Sequence, residues 1–88
     1  MLDIAALAKL GGVKKYNADE IFFNAGETGH EMFIILKGRV GVYITSIDGF
    51  PIMITELVSG DFFGEMSLLE GQPRSATIGA IEDTIVLV

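Results

Sequence analysis

Residues 60–77, GDFFGEMSLLEGQPRSAT, bring together the residue types of a small anion-binding site. Gly64 lets the backbone approach a ligand closely. A short helical turn predicted over 65–69 would present unpaired N–H groups at its start, where anions bind. Arg74 follows in a turn and is the only lysine or arginine after Arg39. These residues make the stretch the candidate site of the chain.

A ligand with one phosphate charge matches this stretch. The N–H groups of the predicted turn would donate to its oxygens, and the helix dipole would add about 0.3–1 kcal/mol. Arg74 follows the rigid Pro73 and offers a planar pair of donors. The hydroxyl of Ser75 and the N–H of Ala76 would complete the ring of donors.

Glu65 does not suit a bare anion, because an ionised carboxylate only accepts hydrogen bonds. Its partner would be a hydroxyl on the same ligand, such as a ribose hydroxyl, or Arg74 itself. The pair of Glu65 and Arg74 therefore predicts a sugar phosphate, or a nucleotide whose phosphate lies close to its sugar.

The length and composition exclude several classes of protein. A chain of 88 residues, 50% of them hydrophobic, forms one small globular domain. The net charge of −6 argues against nucleic-acid binding and against docking on an anionic membrane. No apolar run reaches the length of a membrane span, and the N-terminus lacks the basic flank of a signal peptide, so we expect a cytoplasmic protein. No cysteine is present and His30 is the only histidine, so no metal site is expected.

The rest of the chain predicts short strands separated by turns rich in glycine. Val40, Val42 and Ile44 alternate with glycine, tyrosine and threonine, as in a half-buried strand, and Asp48-Gly49 predicts a hairpin turn. Predicted strands cover 13–16, 20–23, 32–36, 40–45, 52–57, 77–81 and 84–88. A short amphipathic helix is predicted over 2–10. This pattern favours a mainly β fold, an antiparallel sandwich or barrel.

Three expectations concern the faces and edges of these strands. Ile52 and Ile54 are expected to point inward, with Leu57 as a further candidate. Phe62 and Phe63 are expected in the core. The last predicted strand, 84–88, is apolar without a polar cap, which predicts an open C-terminal edge that further chain or a homo-oligomer would cover.

The candidate site resembles the phosphate-binding cassette of cyclic nucleotide-binding domains, the type found in cAMP receptor proteins, kinase regulatory subunits and cyclic-nucleotide-gated channels. GDFFGE at 60–65 and PRSAT at 73–77 carry the likeness. IILKGRV at 34–40 resembles the family's glycine-containing strand pair. The resemblance extends from about Tyr16 to Val88. It implies a jelly-roll barrel (double-stranded β-helix), with a short helix in the cassette, that acts by binding and is not an enzyme.

The resemblance also implies a role for each residue of the motif. Glu65 would bind the ribose 2′-hydroxyl and Arg74 the cyclic phosphate. Further ligand contacts are implied for Gly64, Met66, Ser75 and Ala76, while Val40, Val42 and Leu68 would contact the base or pack behind it. Ser75 is compatible with adenine and with guanine, and cAMP is favoured over cGMP. No cofactor or metal is implied.

One departure from the family concerns the C-terminal helices that cover the base and pass the signal to an effector. No such helices follow in this sequence. We therefore expect a single domain over 1–88, truncated at its C-terminus, with the ligand site present and the output absent. The effector is not identified by the sequence.

Two other functions stay open. In a ligand-free structural or oligomerisation module of the same fold, Arg74 would be a surface arginine paired with Glu65 or Glu70, and Glu65 a favourable first-turn carboxylate. A jelly-roll enzyme of the cupin type would need a cluster of histidines, which the sequence lacks.

Overall fold

The computed structural model describes residues 12–29, 31–64 and 73–88, and within these ranges it contains eight β-strands and no helix. The strands are β1 (Val13–Tyr16), β2 (Ile21–Phe23), β3 (Phe33–Lys37), β4 (Arg39–Thr45), β5 (Pro51–Val58), β6 (Phe62–Phe63), β7 (Thr77–Ala80) and β8 (Thr84–Leu87). The predicted mainly β fold is confirmed. The two predicted helices, at 2–10 and 65–69, lie outside the described residues.

The strands form two four-stranded sheets in which every neighbouring pair is antiparallel. The first sheet has the order β1-β8-β3-β6 and the second the order β2-β7-β4-β5. Neighbours within a sheet are mostly distant in the sequence, because the chain crosses repeatedly from one sheet to the other. This crossing pattern is the jelly-roll arrangement that the resemblance implied.

The core lies between the two sheets. It consists of six buried hydrophobic side chains: Phe33, Ile35, Val40, Phe63, Ile78 and Val86. The rings of Phe33 and Phe63 stack with centroids 4.9 Å apart, and Phe22 meets both of them edge-on. Since Phe63 directly precedes Gly64, the packing of its ring fixes where the candidate site begins.

The hairpin predicted at Asp48-Gly49 connects β4 and β5. The N–H of Gly49 donates to the carbonyl of Ser46 at 2.9 Å, and the N–H of Ser46 donates to the carbonyl of Phe50 at 2.7 Å. Gly49 has a φ of 87°, which glycine adopts without strain. The prediction of this turn is confirmed.

The prediction that Ile52 and Ile54 point inward is wrong. Both side chains are exposed, whereas Leu57 is half-buried and packs against the core. The reason is the place of β5 at the end of its sheet, where β4 pairs with it on one side. Alternating hydrophobicity does not distinguish a covered strand from one at the end of a sheet.

The predicted open edge at the C-terminus is also wrong. β8 pairs with β1 on one side, Thr84 opposite Tyr16, and with β3 on the other, Val86 opposite Ile35. Its apolar side chains therefore belong to the interior of a sheet. The structure therefore does not support a homo-oligomer formed through an open edge of β8.

β6 was not predicted, and its two residues differ in environment. Successive side chains of a strand point to opposite faces, so Phe63 is buried while Phe62 is 56% exposed. The prediction of a core position is confirmed for Phe63 and wrong for Phe62.

Candidate functional site

Backbone hydrogen bonds place Arg74 against the loop between β2 and β3. The N–H of Arg74 donates to the carbonyl of Glu27 at 2.7 Å, and the N–H of Gly26 donates to the carbonyl of Arg74 at 2.8 Å. One residue earlier in this loop, the N–H of Ala25 donates to the Thr77 hydroxyl at 2.9 Å. The segment that leads into β7 is thus fixed to the β2–β3 loop on both sides of Arg74.

The side chain of Arg74 is buried, with 7% of the residue exposed. Its Nη1 donates to the carbonyl of Gly64 and its Nη2 to the carbonyl of Glu31, each at 3.1 Å. The guanidinium carbon lies 4.1 Å from the centroid of the Phe23 ring, which is within range of a cation–π contact. Nε is buried and has no hydrogen-bond partner in the described part of the chain.

The charge of Arg74 therefore lacks an ionic partner among the described residues, where none of the salt bridges includes it. Arg39 shows the contrast, since it donates to Glu56 at 2.8 Å and to Glu82 at 2.6 Å. The hydrogen bond to Glu82 and the charge of Glu56 raise the pKa of Arg39 above its ordinary value. Burying a charge without a counter-charge costs several kcal/mol, so the surroundings of Arg74 suit an anion that comes from outside the protein.

Gly64 has the backbone conformation and the surroundings that require glycine. Its φ is 93°. A Cβ at this position would lie 2.7 Å from the carbonyl oxygen of Glu31 and 2.8 Å from Nη1 of Arg74. The close backbone approach expected at Gly64 is therefore made to Arg74 and to the carbonyl of Glu31.

A cavity of about 230 Å³ opens beside Arg74. Its wall is largely apolar, and Arg74 and Ser75 are the lining residues with polar side chains. The lining residues are Phe23, Val42, Leu57, Phe62, Phe63, Gly64, Pro73, Arg74, Ser75, Ala76 and Ile78. An apolar cavity with a few polar groups gathered at one place is typical of a small-molecule site.

A second cavity, of about 400 Å³, is lined by residues of β2, β4, β5 and β7 and by residues just outside these strands. Its lining includes Asp19, Asn24 and Tyr43, and Asp19 is the charged residue among those that line it. A carboxylate repels an anion, so this larger cavity does not match the ligand class that the sequence indicates.

The structure brings four of the predicted site residues together: Gly64, Arg74, Ser75 and Ala76 all line the smaller cavity. Val42 lines it as well, whereas Val40 is fully buried in the core behind it. The other three candidates, Glu65, Met66 and Leu68, lie outside the described residues.

Several lining residues were not predicted. Phe23 and Leu57 come from strands read as scaffold, and Phe62 was assigned to the core. For Phe62 the signal would have been the alternation of side chains in a strand, which places two adjacent phenylalanines on opposite faces, but the strand itself was not predicted. For Phe23 and Leu57 the sequence holds no such signal, since their position depends on which sheet each strand joins.

Within the described residues, no helix long and apolar enough to cross a membrane is found. The same residues contain no group of three or more histidine, cysteine, aspartate or glutamate side chains placed to hold a metal ion.

Comparison with known proteins links this geometry to one family. Residues 13–88 match the model of the cyclic nucleotide-binding domain. Over 70 residues the chain is 41% identical to a cyclic nucleotide-gated potassium channel of Rhizobium etli. This alignment covers 80% of this chain and 18% of the channel. Over 69 residues it is 41% identical to the cAMP-activated global transcriptional regulator CRP of Pasteurella multocida. This alignment covers 77% of this chain and 33% of the regulator. The chain thus spans a third or less of these relatives.

Solved structures give a similar result. The chain superposes on the cAMP-bound form of the EAL enzyme Bd1971 with a TM-score of 0.80 and 40% identity, over 84% of this chain and 20% of that one. The cGMP-bound form of the same enzyme gives the same values.

Proposed function

Because the chain belongs to the cyclic nucleotide-binding domain family, we propose that it binds a cyclic nucleotide as the sensory part of a regulatory protein. In this proposal Arg74 receives the cyclic phosphate, and cAMP binds more tightly than cGMP. The domain acts by binding its ligand and does not convert it.

The observation that supports the proposal is the environment of the Arg74 side chain. Its guanidinium is buried beside a cavity, and among the described residues it has no carboxylate partner and its Nε has no hydrogen-bond partner. A phosphate oxygen would supply both the missing counter-charge and an acceptor for the unused donors. The carbonyls of Gly64 and Glu31 hold the guanidinium in advance, which lowers the ordering cost of binding.

The remaining phosphate and sugar contacts are assigned to neighbours of Arg74. Ser75 and Ala76 line the same cavity and would donate through a hydroxyl and a backbone N–H. Gly64 lines the cavity and has no side chain that would fill it. Glu65, and with it Met66, follows in the motif, and we assign the ribose 2′-hydroxyl to the Glu65 carboxylate.

The base is assigned to the apolar wall of the cavity. Val42, Leu57 and Phe62 line it, and the exposed ring of Phe62 offers a face on which a purine can stack. These three side chains carry no polar group that would recognise the exocyclic groups of guanine. This supports the preference for cAMP, with Leu68 as a further base contact outside the described residues.

The relatives differ in what they regulate, a potassium channel in one case and transcription in another. The function that this chain is proposed to share with them is ligand binding.

Calorimetric titration of the folded chain with cAMP and with cGMP tests the proposal. We expect heat of binding with both nucleotides and tighter binding of cAMP. A Glu65→Gln variant should lose affinity for cAMP and lose less for an analogue without the 2′-hydroxyl. Absence of binding by either nucleotide would instead favour the ligand-free structural module.

A further inference from the structure

Gly29 lies in the loop between β2 and β3, and its own backbone does not require glycine. Other glycines of the described chain, such as Gly26 and Gly64, have positive φ values of 88° and 93°, a conformation that most residues avoid. Gly29 is not among the residues with positive φ. The reason for a glycine at this position must therefore lie in its surroundings.

The group nearest to the position of a Cβ on Gly29 is the guanidinium of Arg74. A Cβ added to Gly29 would lie 2.5 Å from Nη2, 3.0 Å from Nε and 3.1 Å from Cζ. These are the three nearest atoms that it would meet, and all of them belong to one planar group. A methyl group and a guanidinium cannot share this space, so one of them has to move.

The guanidinium has little room to move while it keeps its contacts. On its other side, Nη1 lies against Gly64, where a Cβ would come within 2.8 Å. The carbonyls of Glu31 and Gly64 accept hydrogen bonds from it, and the ring of Phe23 covers its face. A side chain at position 29 would therefore push the guanidinium out of these contacts.

The atoms nearest to Gly29 are also those at the edge of the guanidinium that is least satisfied. Nε and Nη2 form one edge of the group, and Nε is buried without a partner in the described residues. This edge faces the β2–β3 loop, because Gly29 is not among the residues that line the cavity. A carbon at position 29 would lie in front of this edge.

We propose that Gly29 is a positioning residue for Arg74, and that it sets the affinity for the anionic ligand by leaving free the space that the guanidinium needs to stay beside the cavity. The consequence for affinity rests on the proposed function of Arg74. The close approach of Gly29 and Arg74 does not, because it is formed by two groups of this chain.

The experiment compares Gly29→Ala with Gly79→Ala as a matched control. Gly79 also lacks a positive φ, and its Cβ would meet the flexible end of Ile21 at 3.0 Å, away from Arg74. Titration with cAMP should show binding weakened at least about tenfold by Gly29→Ala and changed less than about twofold by Gly79→Ala. Equal affinity of the Gly29→Ala variant and the native chain would overturn the proposal.

Thermal unfolding without ligand supplies a second readout. Gly29→Ala should lower the unfolding temperature by about 5 °C in the native background, and by much less when Arg74 is already alanine. An equal decrease in both backgrounds would show that Gly29 does not act through Arg74. If the native chain binds neither nucleotide, the proposed function fails, and this pair of unfolding measurements alone decides whether Gly29 positions Arg74.

Discussion

The guanidinium of Arg74 lies over the ring of Phe23, with Cζ 4.1 Å from the ring centroid. Arg74 is the cation of the candidate site, and Phe23 ends β2, so the contact joins the site to the aromatic packing of the core. Phe23 itself packs near the rings of Phe33 and Phe63. The position of the Arg74 guanidinium therefore depends on β2, a strand that lies outside the motif at 60–65 and 73–77.

Replacing Phe23 with leucine should weaken cyclic nucleotide binding about two- to fivefold, because the cation–π contact that steadies Arg74 is lost. Calorimetric titration with cAMP measures this change. Phe22→Leu is the matched control. Its ring stacks on Tyr16 at 3.8 Å and meets Phe33 edge-on, so its loss should lower stability and leave affinity unchanged. A larger loss of affinity for Phe22→Leu than for Phe23→Leu would contradict the assigned role of Phe23.

Replacing Phe62 with alanine should weaken cAMP binding by about 1 kcal/mol or more, because the ring offers a stacking face to the base. The midpoint of urea unfolding should change little, since Phe62 is 56% exposed. Phe50→Ala removes another exposed phenylalanine, at the β4–β5 turn outside the cavity lining, and should leave the affinity unchanged. If both variants bind as the native chain does, Phe62 is not part of the site.

The ionisation of Tyr16 should make the stability of the fold depend on pH in the alkaline range. Burial, followed by the charges of Glu31 and Glu20, raises the pKa of Tyr16 above its ordinary value. The folded state therefore holds this proton to a higher pH than the unfolded state does. Its contribution to stability is present below about pH 10 and is lost as the pH rises through the raised pKa. Urea unfolding above pH 10 should show a shallower loss of stability for Tyr16→Phe than for the native chain, and identical slopes would refute this assignment.

The sequence was most informative where chemistry is local. Arg74, Ser75 and Ala76 follow one another, so their appearance in one cavity follows from chain connectivity. The strands were predicted from alternation, and the turn at Gly49 from its residue type. Each of these features depends on neighbours within a few residues.

The sequence was least informative where distant segments meet. Val86 is a core residue because β8 lies between β1 and β3. No local sequence pattern reveals that pairing. Ile52 and Ile54 were misassigned because alternation does not reveal which strand ends a sheet. Gly29 lies in a loop where glycine is ordinary, and its contact with Arg74 is visible only once the β2–β3 loop packs against the segment before β7.

The central claim is that Arg74 receives the anion, and the most direct test is calorimetric titration of Arg74→Ala with cAMP beside Arg39→Ala. Arg39 is the matched control because its guanidinium already pairs with Glu56 and Glu82. We expect Arg74→Ala to lose about 2–5 kcal/mol of binding free energy while it stays folded, because no described carboxylate loses its partner. Arg39→Ala should bind as the native chain does. Unchanged binding by a folded Arg74→Ala variant would contradict the account.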